Sequence, residues 1–360
     1  MDNTRENRRS GVVRQLEKEL RRGDHGAVGT AFMTVRSIAE VFGVSPVTAQ
    51  RCADDLKAAG LLYRDGKRLR VGAAAVPIGR KRRIALLVTE SHNQFFGQLM
   101  SCVEKCGAAH GLDVVCAGSD YDAAAERRQL AMLTDAGTDG FLICPASETE
   151  SAANVAGLNR PFVLVGRELI DFKADAAKVG NFNAGRKIAR HLLRSGCGSF
   201  AYAGISHNHF DERRAGFAAQ LREAGFTLPA RSVLDTEDDI TPESLTRICT
   251  SSGGARTGLF CYHDLAAARA IRCAKIAGLP IPDQLAVAGF DDLPLAAELY
   301  PSLTSMSYPI MELAGNAVGL LLRRMADPES GFTTESVEAE VVPRESTFFD
   351  NEHKTPGGER

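Results

Sequence analysis

The stretch Pro46-Val47-Thr48-Ala49-Gln50-Arg51 gathers apolar, hydroxyl, amide and guanidinium groups within six positions. Side chains of these kinds at the start of a helix can reach base edges and phosphates in DNA. A short way downstream, Arg64, Lys67, Arg68 and Arg70 cluster about Asp65-Gly66. Such a basic hairpin suits a phosphate or a minor groove. Catalytic signatures are missing: there is no G-x-G-x-x-G, phosphate loop, G-x-S-x-G or metal-spaced cluster. Nine cysteines are scattered with no C-x-x-C, which indicates neither a disulfide framework nor a zinc site. Most of them, Cys144 and Cys261 among them, fall in apolar runs and read as small core residues in a reducing compartment.

The elements that would position these groups are legible. Ile38, Ala39, Val41 and Phe42 give a short helix one apolar face. Gly43 ends it, Ser45 caps the next, and Pro46 takes the first helical position, where its missing N–H costs nothing. The second helix is expected to run to about Ala59, with Val47, Cys52, Leu56 and Ala59 inward. Helix, glycine turn, helix is the helix-turn-helix pattern. Gly60 stops it, and Leu61–Arg64 with Lys67–Val71 read as a hairpin about Asp65-Gly66, a type I′ signal. An ordinary helical pair with a solvated charged turn is the alternative on these residues alone.

The stretch resembles the winged-helix domain of the GntR family of bacterial regulators. Met33-Thr34-Val35-Arg36-Ser37-Ile38-Ala39 stands where that family has L-P-S-x-R-x-L-A, Gly43–Thr48 matches G-V-S-x-x-T, and Leu56–Leu62 matches L-x-x-x-G-L-[LI]. Met33-Thr34 departs from the family's Leu-Pro. The resemblance implies DNA contacts from Arg36, Ser45, Thr48, Gln50, Arg51 and Lys67. Pro46, Arg64 and Arg68 join them from the local reading.

The net charge of −2 conceals an asymmetry. Residues 1–83 hold 18 Lys/Arg against 9 Asp/Glu, a balance of +9, and the remainder holds 25 against 36, a balance of −11. A basic module on an acidic body indicates that only the first part meets nucleic acid. Hydrophobic content of 44% and charged content of 24% suit a soluble globular protein. No run of 18 apolar residues is present, so no membrane span is expected, and the polar N-terminus is not a secretory signal. The expected layout is a disordered tail over 1–9, the DNA-binding domain over 10–72 and a linker over 73–82. An effector and dimerisation domain over 83–350 and a disordered tail over 351–360 complete it.

From Ile84 the pattern changes to short apolar runs alternating with helical segments, through a last run at Leu285–Ala288. This predicts an α/β fold with parallel sheets, divided into two lobes, with a ligand crevice at the carboxyl ends of the strands. The loops there include Ser91–Phe96, Gly166-Arg167-Glu168, Gly204–Asp211, Tyr262-His263-Asp264 and Gly289–Asp292.

Residues 83–349 resemble the effector domain of the lactose-repressor (LacI/GalR) family, which shares the fold of type I periplasmic sugar-binding proteins. The resemblance rests on Asn93–Phe96 (N-P-F-F), Thr138–Ile143 (V-D-G-I-I-L) and Arg213–Phe217 (R-x-x-G-F). It continues in Val287–Asp292 with Pro301–Ser305 downstream, and in Val342–Thr347. It implies effector contacts from Phe95, Phe96, Arg213 and Asp291, with Arg167 and His263 at positions that often line the cleft. Gly180-Asn181 departs from the family's Asp-Asn, and that family's own reader and hinge helix are replaced. The combination resembles regulators of the arabinose-repressor type.

Asp291 and Arg213 could bond adjacent hydroxyls of a sugar. Its C–H faces need flat apolar surface and the chain has no tryptophan, which leaves Phe95, Phe210 or Tyr262. On the residues alone, Asp291 could equally shape a turn and Arg213 lie on a helix surface. His207 and His209 do not make a metal site by spacing. The expected function is a cytoplasmic, homodimeric transcriptional repressor that binds double-stranded operator DNA and a small-molecule effector, with no cofactor and no catalysis. A transport-type solute-binding protein and an enzyme on the same fold are the rivals. The missing signal segment and the basic module count against the first, the missing catalytic motifs against the second.

Overall fold

The computed structural model describes residues 2–26, 28–72, 81–90, 93–204 and 211–348. The chain divides into two compact units, Met1–Arg82 and Arg83–Arg360.

The first unit holds α1 (Asp2–Arg22), α2 (Val35–Phe42), α3 (Pro46–Ala58), β1 (Leu62–Asp65) and β2 (Arg68–Val71). Residues 2–9, expected to be disordered, are helical. The turn between α2 and α3 follows the sequence closely. Thr34 caps α2, Gly43 ends it at φ 60°, and Ser45 Oγ accepts from the Thr48 N–H at 3.1 Å with Pro46 behind it. The core is Leu16 and Leu20 of α1, Ile38, then Ala49, Cys52, Ala53 and Leu56 of α3, with Leu61, Leu62, Leu69 and Val71. Val47 was expected inward and is 64% exposed, and Ala59 is exposed as well. The buried set 49, 52, 53 and 56 has helical spacing, and Val47 lies about 200° around the helix from Ala49. Ala59 falls beyond the last helical residue.

The hairpin exists with a shifted register. Asp65 pairs with Arg68, so the loop is Gly66-Lys67 rather than Asp65-Gly66. Gly66 alone of that pair has positive φ, which excludes the type I′ turn, since that needs both. Arg70 donates to Asp65 and to the Gly29 carbonyl, both at 2.7 Å, and so staples the hairpin rather than extending from it.

In the second unit the chain first lays down β3 (Arg83–Val88), α4 (Gln94–Ala109), β4 (Asp113–Gly118), α5 (Ala123–Asp135), β5 (Gly140–Ile143), α6 (Glu150–Ala156), β6 (Phe162–Val165) and β7 (Ala176–Val179). It crosses at Gly180 into a second lobe. There follow α7 (Asn181–Arg194), β8 (Ser199–Ala203), α8 (Glu212–Glu223), β9 (Val233–Leu234), α9 (Pro242–Thr250), β10 (Thr257–Cys261), α10 (Asp264–Ile276), β11 (Leu285–Ala288), α11 (Pro294–Glu298) and β12 (Ser305–Ser307). Past Tyr308-Pro309 it returns for α12 (Ile310–Ala326) and β13 (Thr334–Val337), then crosses a third time into β14 (Glu340–Val342), which pairs antiparallel with β12.

The first lobe's sheet is all parallel, in the order β13-β7-β6-β5-β3-β4, and the second lobe's parallel sheet runs β11-β10-β8-β9. β3 and β5 are buried nearly throughout, as strands covered on both faces must be. In each sheet the first strand of the lobe lies inside, between its two successors, which creates a switch point and a crevice at the carboxyl ends. Sequence reading up to Ala288 placed the main alternation and missed α6, β7 and every element after β11.

Two helices of the second lobe approach unusually closely. A Cβ on Gly216 of α8 would stand 1.9 Å from the Phe182 carbonyl oxygen of α7, and one on Gly185 of α7 would stand 2.1 Å from the Arg213 carbonyl oxygen of α8. Only glycine fits either place, and the pair sets where the first turn of α8 lies. On the first lobe, α12 is tied down through Asp175, fully buried, whose carboxylate accepts from Arg324 at 2.7 Å, Arg323 at 2.6 Å and the Thr333 N–H at 2.9 Å.

Candidate functional site

The surface of the first unit presents the residues expected to contact nucleic acid, several of them with local partners. Pro46, Arg51, Arg64, Lys67 and Arg68 are exposed. Arg36, also exposed, pairs with Glu40 at 3.0 Å, one helical turn on. Ser45 and Thr48 are tied to one another at the start of α3 (2.9 Å between hydroxyls), and Gln50 donates to Asp54 at 3.1 Å. These are weak, solvent-facing ties, of the kind a phosphate or base can replace. Exposed Val47 and Val41 (66%) add an apolar element to this face that the helical pattern had assigned inward.

The second unit holds a cavity of about 510 Å³ between its lobes. Phe95, Phe96, Arg167, Arg213, Tyr262, His263 and Asp291 all line it. Phe210, with His207 and His209, lies outside the described residues, as do Ser91, His92 and most of the linker expected over 73–82.

Arg213 is fixed from several sides. It sits in the first turn of α8, whose N-cap is Asp211; that carboxylate accepts from the Arg214 N–H and from the Tyr202 hydroxyl. The guanidinium lies between two rings, 3.5 Å from the Phe290 centroid and 4.3 Å from that of Tyr262, a double cation–π arrangement. Its Nε donates to Asn181 Oδ1 at 3.0 Å and its Nη1 to the Tyr262 carbonyl at 2.5 Å. This is a buried, braced arginine and not the surface residue that α8 alone would allow.

Asp291 has φ 98°, a conformation few non-glycine residues adopt. The Tyr308 hydroxyl donates to its Oδ1 at 3.1 Å, and burial raises the Tyr308 phenol well above its ordinary value, so that it stays a donor. The loop carrying Asp291 is anchored from behind by buried Asp264, which accepts the Leu293 N–H at 2.7 Å and the Ser305 hydroxyl at 2.5 Å. Burial lifts the Asp264 carboxyl from 3.8 to about 7. Gly289 makes room for it, since a Cβ there would lie 2.2 Å from Asp264 Oδ1.

His263 reaches the cavity with both ring nitrogens engaged. Nδ1 accepts the Ala266 N–H at 3.0 Å as the N-cap of α10, and Nε2 lies 2.9 Å from Glu237. Burial opposes a charged ring, yet Glu237 and then Asp291 carry its pKa above the usual value. A proton on Nδ1 would break the cap. Phe95 and Phe96 meet edge to face at 4.8 Å; Phe95 is half-buried and stacks toward Tyr308, and Phe96 belongs largely to the core.

Sequence reasoning missed Tyr121, Glu148, Lys178, Asn181 and Tyr308 as lining residues. Lys178 lies 2.5 Å from Glu168 in its own lobe and 3.8 Å from Glu212 in the other, so it bridges the cleft. Burial works against its charge, and the two carboxylates outweigh it. Its signal was a four-residue strand, Ala176–Val179, too short to register. Tyr121 follows β4 at φ 56°, which only a turn search would have flagged.

Among the described residues no helix is long and apolar enough to cross a membrane. A family model for a periplasmic binding protein-like domain matches residues 189–347. The ribose operon repressor of Halalkalibacterium halodurans is 29% identical over 278 residues, covering 73% of this chain and 79% of that protein. The repressor PurR of Edwardsiella ictaluri is 28% identical over 333 residues, covering 87% of this chain and 96% of that protein. Among solved structures, a LacI-family transcriptional regulator from Sanguibacter keddieii superposes with a TM-score of 0.63 at 26% identity, covering 75% of this chain and 99% of that one. With its two-lobed fold and lined cleft, the second unit is similar to the periplasmic-binding-protein-like effector domains of LacI-family regulators.

Proposed function

We propose that the protein is a cytoplasmic, homodimeric transcriptional repressor whose hold on operator DNA is set by a sugar-like effector in the interlobe cavity. The observation that carries this reading is the cavity itself. Seven of the eight residues expected to touch an effector line it, and two of them, Arg213 and Asp291, are held there by neighbours. The relatives are named as repressors, one of them of a ribose operon.

The first unit supports a winged helix-turn-helix of the GntR kind. Three helices, an N-capped α3 with exposed polar side chains, and a basic hairpin are the parts such a reader uses. In this reading Arg51, Gln50, Thr48 and Pro46 meet bases and nearby phosphates, and Arg64, Lys67 and Arg68 hold the backbone. Two copies read two half-sites. Effector closing the cleft moves the lobes about three chain crossings, at Gly180, Tyr308-Pro309 and Glu338-Ala339, and thereby changes the separation of the readers. A coupling of about 1–3 kcal/mol suffices for a 5–150-fold change in affinity.

The test is a thermal-shift screen against pentoses, hexoses, deoxysugars, polyols, uronic acids and nucleosides, followed by DNA binding with and without any hit. A ligand at about 100 times its Kd adds about 2.7 kcal/mol. Asp291→Ala should abolish the effector response and leave DNA binding intact, and Arg51→Ala should do the reverse. Turnover of the bound ligand would replace this reading with an enzyme.

A further inference from the structure

Arg167 differs from the other cations of the cavity. It follows Gly166, which turns the chain at φ 85° after β6, and its Nη1 is shut away from solvent with no hydrogen-bond partner. Lys178 has Glu168 and Glu212, and Arg213 has Asn181, the Tyr262 carbonyl and two aromatic faces. Among the described residues no carboxylate forms an ion pair with Arg167. The groups that feel its charge are the Tyr121 phenol and the Cys144 thiol, both raised by burial and so neutral near pH 7, the thiol to about 12.

Among the acids of the cavity, Glu168 holds Lys178, Asp211 caps α8 and Asp291 accepts from Tyr308; Glu148 has an interaction of its own, with its Oε2 accepting no hydrogen bond. Glu126, whose charge also reaches Cys144, gives its oxygens to the Ala146 N–H, Ser151 and Asn154. A desolvated guanidinium N–H without an acceptor is costly, and an ionised acceptor relieves that cost better than a hydroxyl. The guanidinium fork matches a planar carboxylate. The cavity's other arginine, Arg213, is already engaged by Asn181 and the Tyr262 carbonyl, so no second unpaired guanidinium is on offer among the described residues for the several oxygens of a phosphate.

We propose that the effector is an acidic polyol, a sugar acid whose carboxylate seats on Arg167 while its hydroxyls face Asp291 and Arg213. This rests on reading the cavity as the effector site. The experiment is calorimetric titration of the full chain with matched pairs: D-galactose against D-galacturonate, and D-glucose against D-glucuronate, with glucose 6-phosphate alongside.

At least one acid should bind roughly tenfold or more tighter than its neutral partner. Arg167→Gln should remove that advantage, so that acid and neutral partner bind alike, and Arg167→Lys should keep part of it. A neutral sugar binding as tightly as its acid overturns the charge assignment and leaves the effector-site reading standing. So does a preference that survives in Arg167→Gln, or a tighter hold on glucose 6-phosphate. Binding of none of the five counts against the effector-site reading itself, and the proposal falls with it.

Discussion

Gly216→Ala places one methyl group where the α7–α8 contact leaves no space. Its Cβ would stand 1.9 Å from the Phe182 carbonyl oxygen, 2.8 Å from the carbonyl carbon and 3.0 Å from Cα. All three are backbone atoms, so no side chain can swing aside. Comfortable separation for a carbon is roughly 3.5 Å, so the helices must part by on the order of 1.5 Å. Overpacking of this kind costs about 1–3 kcal/mol, and sometimes more. At roughly 2–4 °C per kcal/mol for a body of this size, Tm should fall by about 2–12 °C. The same displacement moves Arg213, three residues earlier on α8, away from Asn181, so effector affinity should fall along with stability. Gly315→Ala and Gly319→Ala on α12 are the controls. A Cβ at either meets nothing within 4 Å, and the change from glycine should stabilise the helix by up to about 1 kcal/mol. Differential scanning fluorimetry of the three variants, with and without ligand, decides the matter. If Gly216→Ala melts and binds like the α12 variants, the close approach does not set the position of Arg213, and that account of the R-x-x-G-F motif is wrong.

Asp264 should make stability fall as pH rises. Its folded pKa, about 7, is raised above the ordinary 3.8, so the stabilisation is complete below the ordinary value and is lost as pH climbs through about 7. The Tm of the wild type relative to Asp264→Asn should therefore decline across that window, by the equivalent of a few kcal/mol, and a difference independent of pH would dismiss the idea. Asp175→Asn should strip buried Arg324 and partly exposed Arg323 of their charge partner and destabilise the first lobe by about 3–5 kcal/mol. Urea unfolding measures this, and a loss below about 1 kcal/mol would show the cluster to be solvated. Arg68→Ala should weaken DNA binding evenly across sequences and lower the slope of log K against log salt by about 1; an unchanged slope would remove the hairpin from the interface.

The parts of the site that sequence exposed were those on loops after well-marked strands. Arg213, Tyr262, His263 and Asp291 follow β8, β10 and β11, whose apolar runs are unambiguous, and parallel topology delivers such loops to one edge. Lys178 and Tyr308 escaped because they adjoin β7 and β12, strands of four and three residues with no run to notice. α12 escaped because it was covered only by the family resemblance and not by local pattern. Val47 was misplaced because apolar character alone does not give phase at the first turn of a helix. The neighbours at 49, 52, 53 and 56 fix it. The loop at Gly66-Lys67 was misplaced by one residue, since Asp65-Gly66 is an equally good turn signal until Leu62 and Val71 both need the core.

The interleaved order of the two lobes bears on how the chain is made. β7 is complete at Val179, but its sheet partner β13 begins only at Thr334. Between them the ribosome must translate the second lobe as far as β12, and then α12, a delay on the order of ten seconds or more at ordinary rates of elongation. Throughout that interval β7 is a sheet edge with open hydrogen-bonding groups, and Asp175 lacks both its arginines. Such an edge invites pairing with another nascent chain. The first lobe to be begun therefore stays open until the second is all but complete, and a nascent chain halted just after Ser307 carries the second lobe's parallel sheet beside a first lobe still missing one edge strand and one helical face.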